Sequence, residues 1–476
     1  MNTSSLLIVG LLLAVHVPAA FAQNSYVQTN LVSDLASDNP EILDSDFHDS
    51  WGIALRPPGA GGHIWINNAE NGTSDEFIGD VGGNPLHQDA LQSVTIDAPT
   101  FTDHGYSFDT GIVYNSASDA DAAAGLQDLA YGTNPSSDIY EFGLYNQTAY
   151  VNNNPDNTTT YTGPAKFAMC TEDGCINAWA SNTATAMPSA PIMVDYSKEG
   201  NFGDAGLAAN AVYSGMAMTE NLYSTSSSSA FVTQGGNHIF ATDFRNNVIE
   251  VFNDQWQDVT STYKANGAFT PPANILDNPF ADAATPGSNP HVALRAFNIT
   301  DIGGNLYVAY GMFYAAGDEG MEEQDGQGLG AVCEFSETGQ LIREFNDEGQ
   351  LDAPWGMVIA PASFGAYGGD LLVTNFGSGY ISAFDTTTGD FVGNLDDPDG
   401  NPINIDGIWG LTFGNGVSLG GSNTLYFTAG TNNEVDGLFG SLNVSTGPVP
   451  EPGSIAFLGV GLLGLIAAGG RLRRKA

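Results

Sequence analysis

A short phrase recurs along the chain and constrains the fold more than any other feature. It opens on Trp-Gly followed by apolar residues: Trp51-Gly52-Ile53-Ala54-Leu55, Trp355-Gly356-Met357-Val358-Ile359 and Trp409-Gly410-Leu411-Thr412-Phe413. The last two copies start 54 residues apart. A second half reads as a β-hairpin, FATDFRNNVIEVFN from Phe240 to Asn253 and LVTNFGSGYISAFD from Leu372 to Asp385. These align without a gap, Thr242 with Thr374, Phe244 with Phe376, Ile249 with Ile381 and Phe252 with Phe384. Their turns, Arg245-Asn246-Asn247 and Gly377-Ser378-Gly379, hold residues that tolerate positive φ.

Weaker copies fill the gaps. Ile64 to Asn68 follows the first Trp-Gly, Phe167 to Trp179 is a hairpin with a shorter turn, and Leu306 to Tyr310 precedes a long acidic insertion. Leu425 to Ala429 with Glu434 to Phe439 makes the last. The copies predict six units, at roughly 48–80, 104–182, 211–253, 296–345, 353–395 and 407–447. Six sheet-like units of unequal length predict an all-β chain folded as a six-bladed β-propeller, whose blades hide their edges by packing around a channel. Composition agrees: 59 glycines and 11% aromatic residues suit short strands and turns better than helices. Trp and Phe at matching positions are expected simply in the core, with a role as wedges between blades the alternative. The segment Tyr26 to Ser33 is expected to close the ring by pairing into the last blade.

The two ends stand outside that pattern. Leu6 to Val15 is an apolar run of signal-peptide length, Pro18 breaks it, and Ala20-Phe21-Ala22 offers the small-x-small site a signal peptidase reads. Residues 1–22 are therefore expected to be a cleaved signal, leaving 23–447 as the propeller. At the other end, Val449-Pro450-Glu451-Pro452 precedes the uncharged stretch Gly453 to Gly470, about 27 Å long as a helix. Arg471, Arg473, Arg474 and Lys475 follow and hold the C-terminus on the cytoplasmic side. Motif, apolar helix and basic end, over 448–476, resemble the PEP-CTERM sorting signal of Gram-negative bacteria. That resemblance implies a transient inner-membrane anchor, cleavage by an exosortase-type protease, and delivery to the cell surface or the extracellular space.

The Trp-Gly copies, the segment Gly389 to Gly416 and the segment Asn423 to Ser441 resemble an uncharacterised bacterial family of exported proteins, the TIGR03118 family, over about Val32 to Leu442. The resemblance implies no established activity and carries no catalytic residue. More distantly the blades resemble six-bladed propellers of the NHL and SMP-30/gluconolactonase types.

Candidate chemistry is sparse. Asp397, Asp399 and Asn401 offer clustered oxygen ligands of the kind that bind Ca²⁺, with Asp406 close in sequence. The spacing is not that of an EF-hand, and an Asp-Pro-Asp-Gly turn explains the same residues. Asp318, Glu319, Glu322, Glu323 and Asp325 read as a solvated acidic loop. Asp243, Asn375 and Glu172 sit at equivalent strand ends and fit either a channel ligand set or hairpin caps. The seven histidines form no zinc motif, and no Ser nucleophile elbow or phosphate loop is present. Cys170 and Cys175 flank a hairpin turn, where an exported protein permits a disulfide without requiring one. Cys333 reads as a buried small hydrophobe.

The formal charge is −43, with 54 acidic against 11 basic residues, which excludes nucleic acid as a partner because phosphate is repelled. Four of the 11 basic residues lie in the tail, so the body is more acidic still. The reading that follows is an exported, surface or matrix-associated propeller that binds envelope components such as extracellular polysaccharide. A Ca²⁺-dependent lactonase using the channel, and a structural component of extracellular polymer, are the competing readings. A body this acidic repels itself, and counterions relieve that repulsion. Its melting temperature is accordingly expected to hold or rise as salt or Ca²⁺ is added; a fall in thermal scans contradicts this reading of the charge.

Overall fold

The computed structural model describes residues 24–100, 105–115, 142–150, 158–182, 185–197, 211–219, 237–271, 293–314 and 322–445. The signal region with Ala20 and Ala22, and the tail with its motif, apolar stretch and basic end, lie outside the described residues. So do Asp318 and Glu319. Among the described residues no helix is long and apolar enough to cross a membrane.

Six antiparallel sheets form a six-bladed β-propeller. From the inside outwards, blade one runs Ser50–Leu55, Ile64–Asn68, Thr73–Phe77 and Ser93–Ile96. Blade two runs Asp109–Tyr114, Phe167–Thr171, Cys175–Trp179 and Ile192–Asp195, and blade three Tyr213–Met218, His238–Asp243 and Val248–Asn253. Blade four runs Ala293–Ile302, Asn305–Tyr314, Gly330–Ser336 and Leu341–Glu344, and blade five Pro354–Ile359, Leu371–Asn375, Ile381–Phe384 and Phe391–Asn394. Blade six runs Ile408–Phe413, Leu425–Gly430 and Asp436–Val444, and Tyr26–Ser33 adds the next strand outward. Each inner strand packs against the inner strand of the following blade, and the sixth returns to the first.

The closing strand pairs antiparallel with the last strand of blade six, from Tyr26 opposite Val444 to Ser33 opposite Leu438. The ring is thus sealed by main-chain hydrogen bonds between the two ends of the body. Tyr26 is fully buried there, stacked on Phe364 at 4.8 Å between ring centroids. Asn24 pins the entry of the strand by donating to the Asp396 carboxylate (2.7 Å) and the Tyr367 hydroxyl (2.9 Å).

The Trp-Gly phrase has a specific cause. Ser50 faces Asn68 and Ile53 faces Ile66, so Trp51 and Gly52 together oppose the single residue Asn67. The same two-against-one bulge sets Trp355-Gly356 against Thr374 and Trp409-Gly410 against Thr428. In blade five the Thr374 hydroxyl sits in the bulge, accepts the Gly356 N–H (2.7 Å) and donates to the Trp409 carbonyl of blade six (2.7 Å). Thr428 repeats the motif, accepting the Gly410 N–H (2.8 Å) and donating to the Trp51 carbonyl of blade one. Glycine is required because the next blade passes so close: a Cβ on Gly410 would lie 2.7 Å from the Trp51 carbonyl oxygen, and one on Gly356 would strike the Trp409 carbonyl.

The other joints reach the same end with other residues. Asn67 donates to the Thr110 carbonyl (3.2 Å), Thr110 to the Tyr213 carbonyl (2.7 Å), Thr242 to the Phe297 carbonyl (3.1 Å) and Asn298 to the Trp355 carbonyl (2.8 Å). Every blade-to-blade step around the ring is spanned by a buried side-chain donor on a main-chain carbonyl.

Trp65 of blade one is a wedge between blades, stacked on Phe167 of blade two at 4.5 Å and 4.6 Å from Trp179, but the tryptophans of the Trp-Gly phrase are not. Trp51 and Trp409 stack at 3.8 Å, and each lies 6.0 Å from Trp355. Trp51 and Trp355 belong to blades one and five, which are not neighbours, so these rings meet across the axis. Phe376 stacks on Trp409 at 4.0 Å and Phe297 of blade four reaches it at 5.9 Å. The cluster plugs the channel where the inner strands begin.

Thr374→Val keeps the shape of the side chain but strands the Gly356 N–H and the Trp409 carbonyl. Each buried group left unpaired costs about 1–3 kcal/mol. Thr387→Val, on an exposed turn, is expected to stay within about 0.5 kcal/mol of wild type. Urea melts of the two variants check the contrast.

Candidate functional site

Beyond the plug the channel widens into a cavity of about 340 Å³ that all six inner strands line. Trp355 and the ring glycines Gly52, Gly111 and Gly356 contribute at the plug side. Ile53, Met216, Met218, Met357 and Leu411 make the wall apolar, and Asn298, Thr300, Asp301 and Thr412 supply its polar groups. Tyr114 also lines the cavity, with the Arg56 guanidinium 5.7 Å from its ring centroid. A concave wall that combines apolar side chains with a somewhat larger polar surface suits retention of a small polar ligand. Among the described residues Asp301 is the single carboxylate in this lining.

The other carboxylates are distributed differently. Asp243 accepts hydrogen bonds from the Val212 N–H (3.2 Å), the Asn246 N–H (3.0 Å) and the Asn246 amide (2.6 Å). Asn375 accepts the Asp352 N–H (3.0 Å) and donates to the Tyr380 carbonyl (3.1 Å). Both cap hairpins, so their recurrence along the sequence has a structural cause. Asp49 is fully buried at the plug, where it accepts the Trp51 indole N–H at 2.7 Å. Burial pushes its carboxyl well above the usual carboxylate range; the neighbouring charges of Glu434, Glu70 and Glu172 add to the rise and the indole hydrogen bond opposes it.

Asp397, Asp399 and Asn401 form a turn. The Asp397 carboxylate accepts the N–H groups of Asp399 (2.8 Å) and Asn401 (3.0 Å), and the Asp397 N–H donates to the Asn401 carbonyl (2.7 Å). The hydrogen bonds from Asn401 lead in holding the Asp397 carboxyl below its ordinary value. Asp406 is engaged elsewhere, accepting the Asn432 N–H at 2.9 Å.

The Cys170–Cys175 bridge is corrected by the register. Cys170 faces Ile176, which places Cys175 one position off and on the opposite face of the sheet. Cys170 approaches the Thr110 hydroxyl at 3.4 Å and Cys175 approaches Asp195 at 3.8 Å. Both thiols are free and buried, as is Cys333.

One constellation went unread in the sequence. Asp34, His48 and Asp436 bring one potential ligand atom each to within 4.8 Å of one another. They come from three segments at the ring closure, and no local spacing announces them.

Comparisons with known proteins bear on the C-terminal end more than on this site. Residues 448–474 match the PEP-CTERM protein-sorting motif. An uncharacterized protein of Acanthamoeba polyphaga mimivirus is 24% identical over 420 residues, 88% of this chain and 79% of that one. Another uncharacterized protein of the same virus is 35% identical over 171 residues, 35% of this chain and 43% of its own length. Among solved structures, a protein of unknown function from Bacteroides thetaiotaomicron is similar at TM-score 0.41 and 12% identity, over 88% of this chain and 76% of that chain. A glucose dehydrogenase is similar at TM-score 0.41 and 12% identity, over 88% of this chain and 100% of that chain.

Buried acids give the fold a pH signature. Burial lifts Asp75 to about 7 and Glu250 to about 8, against the hydrogen bonds each receives. A carboxyl raised in the folded state holds its proton there and loses it on unfolding. Its stabilisation is complete below the unfolded value near 4 and is lost as pH rises through 7 to 8. The melting temperature is expected to fall between pH 5 and pH 9. Glu250→Gln, which carries no charge to bury, is expected to melt near wild type at pH 5 and several degrees above it at pH 9; a variant that tracks wild type across the range contradicts the assignment.

Proposed function

We propose that the chain is an exported scaffold, a rigid propeller delivered by its N-terminal signal and sorted through its C-terminal tail, which presents its channel cavity outside the cell. The observation that carries this reading is the sorting motif at 448–474, which starts four residues after the last propeller strand ends at Val444. The ring closure supports it. Tyr26 pairs with Val444, so both ends of the body leave it side by side. Removing residues 1–22 and those from 448 onwards spares Asn24, Ser25 and Ser445 and so leaves every described hydrogen bond of the closure intact.

In this reading signal peptidase cuts after Ala22, the apolar stretch Gly453 to Gly470 holds the chain in the inner membrane, and an exosortase acts near Val449 to Pro452. The released body belongs to the cell surface or the extracellular space of a Gram-negative bacterium and to the uncharacterised exported family that its repeats resemble. Its cavity takes a small, largely neutral ligand such as the end of an extracellular polysaccharide, with Tyr114 as a stacking face and Asn298, Thr300 and Thr412 as hydrogen-bonding groups. A Ca²⁺-dependent lactonase needs several oxygen ligands converging in the channel; among the described lining residues Asp301 is the one carboxylate.

Replacing Pro450-Glu451-Pro452 by alanines, with the membrane segment retained, tests the sorting. Fractionation and immunoblotting are expected to show the variant accumulating uncut in the inner membrane while wild type reaches the surface or medium. Equal delivery of both contradicts the proposal.

A further inference from the structure

We propose that Asp34, His48 and Asp436 form a binding site for a divalent transition-metal cation of the Zn²⁺ class, placed so that one ion clasps the closure of the ring. Asp34 follows the closing strand Tyr26–Ser33, His48 leads into the inner strand of blade one, and Asp436 opens the last strand of blade six. One ion held by these three ties together the first blade, the last blade and the strand that seals them.

The donors are arranged as ligands, and the two carboxylates are steadied by neighbouring donors. His48 Nδ1 lies 3.4 Å from Asp34 Oδ2 and 3.1 Å from the Val435 carbonyl oxygen. The other oxygen of Asp34 accepts the Gly437 N–H at 3.1 Å. Asp436 Oδ2 accepts the Asn432 amide at 3.0 Å. Each carboxylate therefore has one oxygen fixed by a neighbouring donor, the outer-shell arrangement that orients metal ligands.

The electrostatics of the closure point the same way. Two carboxylates turned towards each other repel unless something positive lies between them, and the side chain standing beside Asp34 is an imidazole. The Asp34 side chain is 6% exposed and His48 31%, so the repulsion is poorly screened on one side while an ion retains a path from solvent on the other. The nitrogen in the set selects the metal. Ca²⁺ and Mg²⁺ favour all-oxygen shells, whereas imidazole with carboxylates suits Zn²⁺ and its first-row neighbours. For the ion to bind Nδ1, the proton there leaves to solvent from the charged ring or moves to Nε2 in the neutral ring, and the Val435 carbonyl, no longer accepting that proton, is free to act as a fourth donor.

The test is calorimetric titration of tag-free full chain in mild detergent with ZnCl₂, in millimolar Mg²⁺ to saturate diffuse carboxylate binding. The expected result is one saturable Zn²⁺ per chain, accompanied by a rise in melting temperature. Asp34→Asn and His48→Gln are each expected to weaken binding by at least about tenfold, and Asp397→Asn to leave it unchanged. Asp34→Asn keeps an acceptor for the Gly437 N–H, and if it nevertheless fails to fold, His48→Gln at its partly exposed position carries the test. Absence of saturable binding, binding that survives both site variants, or binding lost equally in Asp397→Asn overturns the proposal.

Discussion

A propeller of this kind depends on how one blade holds the next, and here the holding contact is a side-chain donor on a main-chain carbonyl freed by a β-bulge. A regular strand spends its carbonyls on its own sheet. The two-against-one bulge at Trp355-Gly356 and at Trp409-Gly410 turns one carbonyl towards the neighbouring blade. A threonine hydroxyl on the second strand then satisfies both the bulge amide of its own blade and that carbonyl. These groups are buried, so their alternative is an unpaired polar group in a low-dielectric interior, which makes the joint intolerant of mismatch. The same residues set the rest of the axis. Glycine permits the close approach, and the tryptophan before it turns inwards to build the aromatic plug. The channel is consequently a blind funnel.

Legibility in the sequence followed the regularity of this device. Blades five and six carry it as Trp-Gly with a threonine downstream and could be aligned by eye. Blade four replaces Gly with Asn298 and has Ala309 where the threonine would stand, so its amide makes the joint and the written pattern disappears. Blade two uses the hydroxyl of Thr110 itself. The six units and the closing strand were still visible, because hairpin alternation survives such substitutions. The outer strands Ser93–Ile96 and Ile192–Asp195 were not, since a short edge strand leaves little pattern. The tryptophans were legible as core but not as an axial plug, because contact across a ring has no signature along the chain.

The candidate sites divide in the same way. Asp243 and Asn375 recur at strand ends for reasons of backbone capping, and the Asp397 turn spends its carboxylate on its own amides. Local patterns of this sort advertise turns more readily than ligands. Asp34, His48 and Asp436 meet only because the ring closes, so the fold creates the constellation and no stretch of sequence contains it. The thiols of Cys170 and Cys175 show the converse: neighbours in the chain, separated by a single step of register.

The ring is expected to open as a unit because every joint carries a buried side-chain donor on a main-chain carbonyl. Native-state amide exchange measures this directly at the bulge amides of Gly356 and Gly410 and at the closing-strand amides of Tyr26–Ser33 that pair with blade six. Cooperative closure predicts that all of them exchange only through global unfolding, with one common free energy and one common dependence on denaturant. Exchange of the bulge amides at a lower free energy than the strands flanking them, or blade by blade, would contradict it.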